Sequence, residues 1–212
     1  MASSYTEKTP DYSPLIVHFT KKRKMEMGRL IKEGHPLYAF RSSEPFDKLM
    51  SILQSRTIHA SPMPWVPDNP PAVCFTECLW DALTRLASSY SSYGVVFRKD
   101  MVFRKGGGPV LYVRGDIMKN LWKDIPPSLV PFIMPFDPEA VIQPGVRLDF
   151  LHEREWRLPD SLKFEFSDIQ YVIVQSLEDA RRVVHQIGAQ YLPEEKLIPM
   201  EVYEHIRKAW SE

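Results

Sequence analysis

Arg147-Leu148-Asp149-Phe150-Leu151-His152-Glu153-Arg154-Glu155-Trp156-Arg157-Leu158 lies late in the chain, between a proline-rich segment and the apolar run at residues 171–175. We read it as a strand of unusual polarity. On that reading, period-two alternation sends Glu153, Glu155 and Arg157 to one face and His152, Arg154 and Trp156 to the other. Like-facing residues then stand ~6.8 Å apart. Two carboxylates so placed repel and lose solvation if covered, so one holds its proton near neutrality unless Arg157 or another cation compensates. A solvent-facing strand with an internal ion-pair ladder would use the same residues.

Before this stretch, residues 126–144 are proline-rich and read as a stiff connection. A short helix is expected near residues 117–123. Residues 93–98 and 109–114 read as strands, separated by charged residues and the Gly106-Gly107-Gly108 turn. The sequence KGGGPV lacks the Lys-Ser/Thr and the following helix that a phosphate cradle needs, so a hairpin turn is the better reading. Beyond the stretch, residues 171–175 read as a strand. A helix after Ser176 then carries Ala180, Val183, Val184 and Ile187 on one face and ends at Gly188. Pro199 opens a last helix with Val202, Tyr203, Ile206 and Trp210.

Nearer the start, Leu15-Ile16-Val17-His18-Phe19-Thr20 reads as the first strand, stopping at Lys21-Lys22-Arg23-Lys24. Residues 21–43 are ambiguous, and the four-residue basic run is too short to specify nucleic acid. From Ser43 a helix is expected, with Pro45 in its first turn and Phe46, Leu49, Met50 and Leu53 at i, i+3, i+4 and i+7. Thr57-Ile58-His59-Ala60 reads as a short strand and SPMPWVPDNPPA as a stiff extended loop. Val73-Cys74-Phe75-Thr76 reads as a strand leading into a helix over residues 79–90. The pattern is α+β, with a mixed, largely antiparallel sheet and flanking helices. A polar leader at residues 1–14 precedes a single domain at residues 15–212.

The 212 residues carry 27 basic and 27 acidic side chains, so no chain-wide basic field is available for a polyanion. The 19 prolines against 9 glycines favour many stiff connections. Neither a secretory h-region nor a run of ~18 apolar residues is present, so the expectation is a cytoplasmic protein that does not enter a membrane. Cys74 and Cys78 are too few and too isolated for a zinc site, and are expected to be reduced and packed, with no metal bound.

His18 shares a strand face with Ile16 and Thr20, as a core or edge histidine or as a site residue. Thr76 and Glu77 suit either a site or the N-cap of the next helix. Taken in order, His18-Phe19-Thr20, the helix in FDKLMSILQS, PAVCFTE at residues 71–77, YGVVFRK at 93–99, PVLYV at 109–113 and EREWR at 153–157 resemble the layout of the ADP-ribosyltransferase superfamily. More narrowly, they resemble the AbiGi-type abortive-infection family of phage-defence proteins. Residues 21–45 stand as an insertion relative to that layout.

The superfamily resemblance implies NAD as substrate, with Glu155 stabilising oxocarbenium charge on the ribose and Glu153 orienting or deprotonating an acceptor. It further implies that His18 bonds the adenosine-side ribose, Thr20 supports the strand end, Thr76 helps bind the cofactor, Phe75 or Tyr93 stacks on nicotinamide, and Arg154 or Arg157 meets the pyrophosphate. A protein or nucleic acid would be the acceptor. The AbiGi-type resemblance implies instead an antitoxin that binds a cognate toxin and need not retain catalysis. RNA processing by His18 or His152 with a carboxylate is a third reading, disfavoured by the neutral charge.

Overall fold

The first strand, β1 (Leu15–Phe19), lies in the middle of the main sheet. It is covered on both faces, so the residues of LIVHF alternate between two cores: Ile16 belongs to one, Val17 and Phe19 to the other. The computed structural model describes residues 12–21, 34, 43–64, 66, 68–78, 83–143, 146–203 and 205. On one side of β1 runs β5 (Gly94–Arg98) and on the other β4 (Pro71–Glu77), both antiparallel to it. Outside β5 lie β12 (Tyr171–Val174) and then β13 (Leu197–Pro199). The last two are parallel, and α5 (Leu177–Ile187) supplies the crossover that a parallel pair needs. Outside β4 lie β10 (Trp156–Leu158) and β6 (Gly108–Pro109), while β3 (Ser61–Pro62) pairs with the start of β4. The order is therefore β13-β12-β5-β1-β4-β10-β6.

On one face the main core gathers Ile16, Val73, Phe75, Val95 and Phe97 beneath α1 (Pro45–Ser55) and α5. In α1 the spacing expected from sequence holds: Phe46, Leu49, Met50 and Leu53 are its buried residues. In α5 Ser176 is the N-cap, and Ala180 and Val183 turn inward. On the other face α2 (Leu83–Ser89) packs Leu83, Leu86 and Ala87 over Val17, Phe19, Val96 and Ile173. A smaller cluster of Met63, Val66 and Ala72 lies against Cys74, Trp122 and Val130. Among the described residues no helix is long and apolar enough to cross a membrane.

Several expectations are corrected. Residues 147–158 are not one strand: β9 (Val146–Leu148), a 3-10 turn at Leu151–Glu153 and β10 divide them. Arg154 has φ 45°, a left-handed conformation that ends the even alternation assumed for this stretch. Residues 109–114 split between β6 and β7 (Leu111–Arg114), which belong to different sheets. The supposed connection at residues 126–144 contains the eleven-residue β8 (Ile133–Gln143). β7 pairs with β8 in parallel, with α4 (Gly115–Leu121) between them in sequence, and β9 pairs with β8 through register shifts, one of which spans Pro138. The charged residues after β5 form α3 (Lys99–Arg104). Of residues 57–60 only β2 (Thr57–Ile58) is strand, paired with β11 (Leu162–Lys163). The basic residues 22–24, nearly all of the 21–45 insertion, the start of the helix expected at residues 79–90, and Ile206 and Trp210 lie outside the described residues.

Candidate functional site

The motifs lie on or beside three adjoining strands: His-x-Thr on β1 and just past its end, Phe-Thr-Glu at the end of β4, and Glu-x-Glu-Trp-Arg running from the 3-10 turn into β10. Their register then decides which side chains meet. Val17 opposes Thr76, Trp156 opposes Phe75, and Arg157 opposes Cys74. Opposed residues share a face, so His18, Phe75 and Trp156 look toward the main core, whereas Cys74, Thr76, Glu155 and Arg157 look the other way. The His18 and Phe75 rings meet edge-on at 5.9 Å, and His18 Nδ1 lies 2.8 Å from the Cys74 carbonyl oxygen.

The second face holds a dense polar cluster. Arg157 is fully buried and grips Glu155 at both oxygens, Nε to Oε1 at 2.8 Å and Nη2 to Oε2 at 2.9 Å. Its Nη1 donates to the carbonyls of Pro131 at 2.9 Å and Ile133 at 3.1 Å, and Nη2 also reaches Met134 Sδ at 3.6 Å. Every N–H of the guanidinium is thus engaged, as a charge so deeply covered requires. The pair holds β10 to the segment that enters β8. Burial, followed by the Glu155 carboxylate, pushes the Cys74 thiol well up. Tyr112 Oη donates to the Phe150 carbonyl at 2.9 Å, and burial and the two glutamates raise its phenol.

Glu153 sits just before the left-handed Arg154 and is only half-buried. Burial raises its carboxyl pKa, the hydrogen bond from Tyr90 opposes the rise, and the Glu155 charge adds to it. Tyr90, in turn, stacks on Phe19 with ring centres 5.5 Å apart, and burial, followed by the Glu153 charge, pushes its phenol up. Arg154 turns back to the end of β4, where its Nη1 stands 3.8 Å from Glu77 Oε1. Glu77 ends β4, accepts the Ser13 backbone N–H at 2.7 Å and pairs with buried Lys99 at 3.1 Å, while the start of the helix it is expected to cap lies outside the described residues. The Lys99 ammonium lies 4.3 Å from the Tyr12 ring centre and 5.6 Å from that of Trp156. Burial lowers its pKa, which Glu77 partly offsets.

Thr20 and Tyr93 lie at the opposite end of β1. Thr20 Oγ1 donates to the Pro45 carbonyl at 2.8 Å, which ties the end of β1 to the start of α1. Tyr93 Oη donates to Asp179 Oδ2 at 2.9 Å, and its ring meets Phe46 edge-on at 5.7 Å. Burial and then Asp179 raise the Tyr93 phenol to about 12.

The structure therefore brings together Thr76, Glu153, Glu155 and Arg157 on one face, and His18 with Phe75 on the other. Tyr93 is drawn off to α5. Sequence reasoning missed Tyr90, Tyr112 and Lys99, whose contacts arise from chain crossings far apart in sequence; only the apolar spacing of α2 hinted that Tyr90 would lie near the sheet. Comparison with protein-family models, with curated proteins and with solved structures finds no match to this chain.

Proposed function

We propose that the chain is a cytoplasmic abortive-infection protein, of ADP-ribosyltransferase-like layout, that acts as a non-catalytic antitoxin or interaction module for a cognate toxin. One observation supports this reading above all: the motif side chains are spent on groups within the fold. Both Glu155 oxygens bind Arg157, Tyr93 binds Asp179, Thr20 binds Pro45, and His18 lies across the sheet from Glu155. Among the described residues no buried side-chain nitrogen or oxygen lacks a partner.

The test is co-expression with the product of each gene adjacent to the one that encodes this chain. Purification of a stoichiometric complex and rescue of growth, both unchanged by Glu155→Gln, are the expected results. Turnover of labelled NAD that disappears in Glu155→Gln would overturn the reading.

A second reading, NAD-dependent transfer of ADP-ribose to a macromolecule, draws support from the glutamate pair itself. Arg157 holds both Glu155 oxygens and fixes the carboxyl in direction, as stabilisation of developing ribose charge demands, while burial raises the Glu153 pKa, which suits a general base. The same labelled-NAD assay separates the two readings.

A further inference from the structure

A hollow of about 510 Å³ opens away from the strands that carry the motifs, lined by Arg56, Glu165, Phe166, Ser167 and Tyr191. Its volume is in the range of small-molecule sites. The floor is aromatic: the Phe166 and Tyr191 rings stack with centres 5.4 Å apart and planes inclined by 29°. Phe166 packs against the main core, whereas Tyr191 is 54% exposed and leaves an aromatic face to solvent.

The rim pairs a cation with an anion. Arg56 Nη1 donates to Glu165 Oε2, with the two side chains 49% and 68% exposed, so the pair is in water and is easily opened. Glu165 also accepts a backbone N–H in the capping box of the turn at Phe166–Asp168. A carboxylate has about four acceptor positions, so two remain. Arg56 itself occupies the left-handed C-cap of α1 at φ 51°, a place that usually falls to glycine. An arginine held there at a conformational cost, with its head on the rim of a hollow, is the kind of outlier that marks a binding position.

We propose that this hollow binds a guanine base. Stacking on Tyr191 suits any nucleobase, but the rim chemistry selects one. Guanine carries two N–H donors side by side on its Watson–Crick edge, which a carboxylate accepts together, and O6 and N7 acceptors next to them, which a guanidinium meets. Adenine offers no such donor pair to Glu165. The ligand is either a free guanine nucleotide or a guanine in single-stranded nucleic acid, and the rim chemistry is common to both. The inference stands independently of the antitoxin reading, since none of the five residues belongs to the motif strands.

The test is calorimetric titration of the whole chain with GMP, with AMP, and with two short single-stranded RNAs, one containing a single guanine and one lacking it. Saturable binding of GMP or of the guanine RNA at or below about 1 mM, preferred over its guanine-free counterpart by roughly tenfold, is expected. Tighter binding of GMP assigns the free nucleotide, and tighter binding of the RNA assigns the strand. Tyr191→Ala weakens binding by about tenfold through loss of the stacking face. Glu165→Gln abolishes the preference for guanine over adenine. Both residues are exposed, and matching thermal melts identify variants that remain folded. Absence of saturation with every guanine probe, equal binding of GMP and AMP, or affinity unmoved in both folded variants overturns the proposal.

Discussion

Arg157 is buried because it is paired, and the pairing predicts an asymmetry. Arg157→Met leaves the Glu155 carboxylate covered and uncompensated, and should cost about 3–5 kcal/mol of unfolding free energy in urea titrations. Arg157→Met with Glu155→Leu removes both charges and should recover most of that loss. A double variant as unstable as the single one would mean that the guanidinium contacts to Pro131 and Ile133 dominate. Glu153 gives a pH signature of opposite character. A carboxyl whose folded pKa is raised binds its proton more tightly in the native state, so its contribution is whole below the ordinary value of 4.5 and is lost as pH rises through the folded value. Glu153→Gln should therefore stabilise the protein near neutrality and change nothing below pH 4.5, measured as the pH dependence of the urea midpoint. The cysteines carry a third prediction: Cys78 is fully buried and its thiol is lifted to about 12, so in the native protein it should resist a disulfide reagent, reacting more slowly than the partly exposed Cys74, and in denaturant it should react. At this scale the sequence announced that Glu155 and Arg157 belong together, since they are two residues apart and opposite in sign. It could not announce that His18 faces away from them, because that follows from register between strands more than fifty residues apart.

Elements were legible where local chemistry and tertiary packing agree. α1 begins at a proline, repeats apolar residues at helical spacing and buries those four. α5 begins at Ser176, whose hydroxyl accepts the Asp179 N–H at 3.1 Å and donates to its carboxylate at 3.0 Å. Ser176→Ala should lower stability by about 1 kcal/mol through loss of the cap, and should also loosen Asp179 from Tyr93, read as faster amide exchange in the first turn of α5. Residues 147–158 were read as one strand because nothing in an arginine signals a left-handed turn, whereas a glycine at position 154 would have. β8 was hidden by Pro135 and Pro138, residues that argue against strand unless bulges and an open edge receive them. α3 is six residues long and begins with Lys99-Asp100, too short for periodicity to register.

Across the whole molecule, the largely antiparallel α+β arrangement followed from the alternation of apolar runs and helical spacings, while the strand order did not. Consecutive strands usually neighbour one another, yet β4 finds β1 on one side and β10, some eighty residues later, on the other. That order has a consequence during synthesis. With β1, β3 and β4 already made, the edge of β4 at residues 73–75 stays bare until residues 156–158 are available. At ~5–20 residues per second the wait is roughly 4–16 s, far longer than a hairpin needs to form. An open strand edge next to Val73 and Phe75 is a template for another chain. The nascent protein should therefore depend on holding chaperones, and slowing translation between codons 78 and 155 should raise its insoluble fraction.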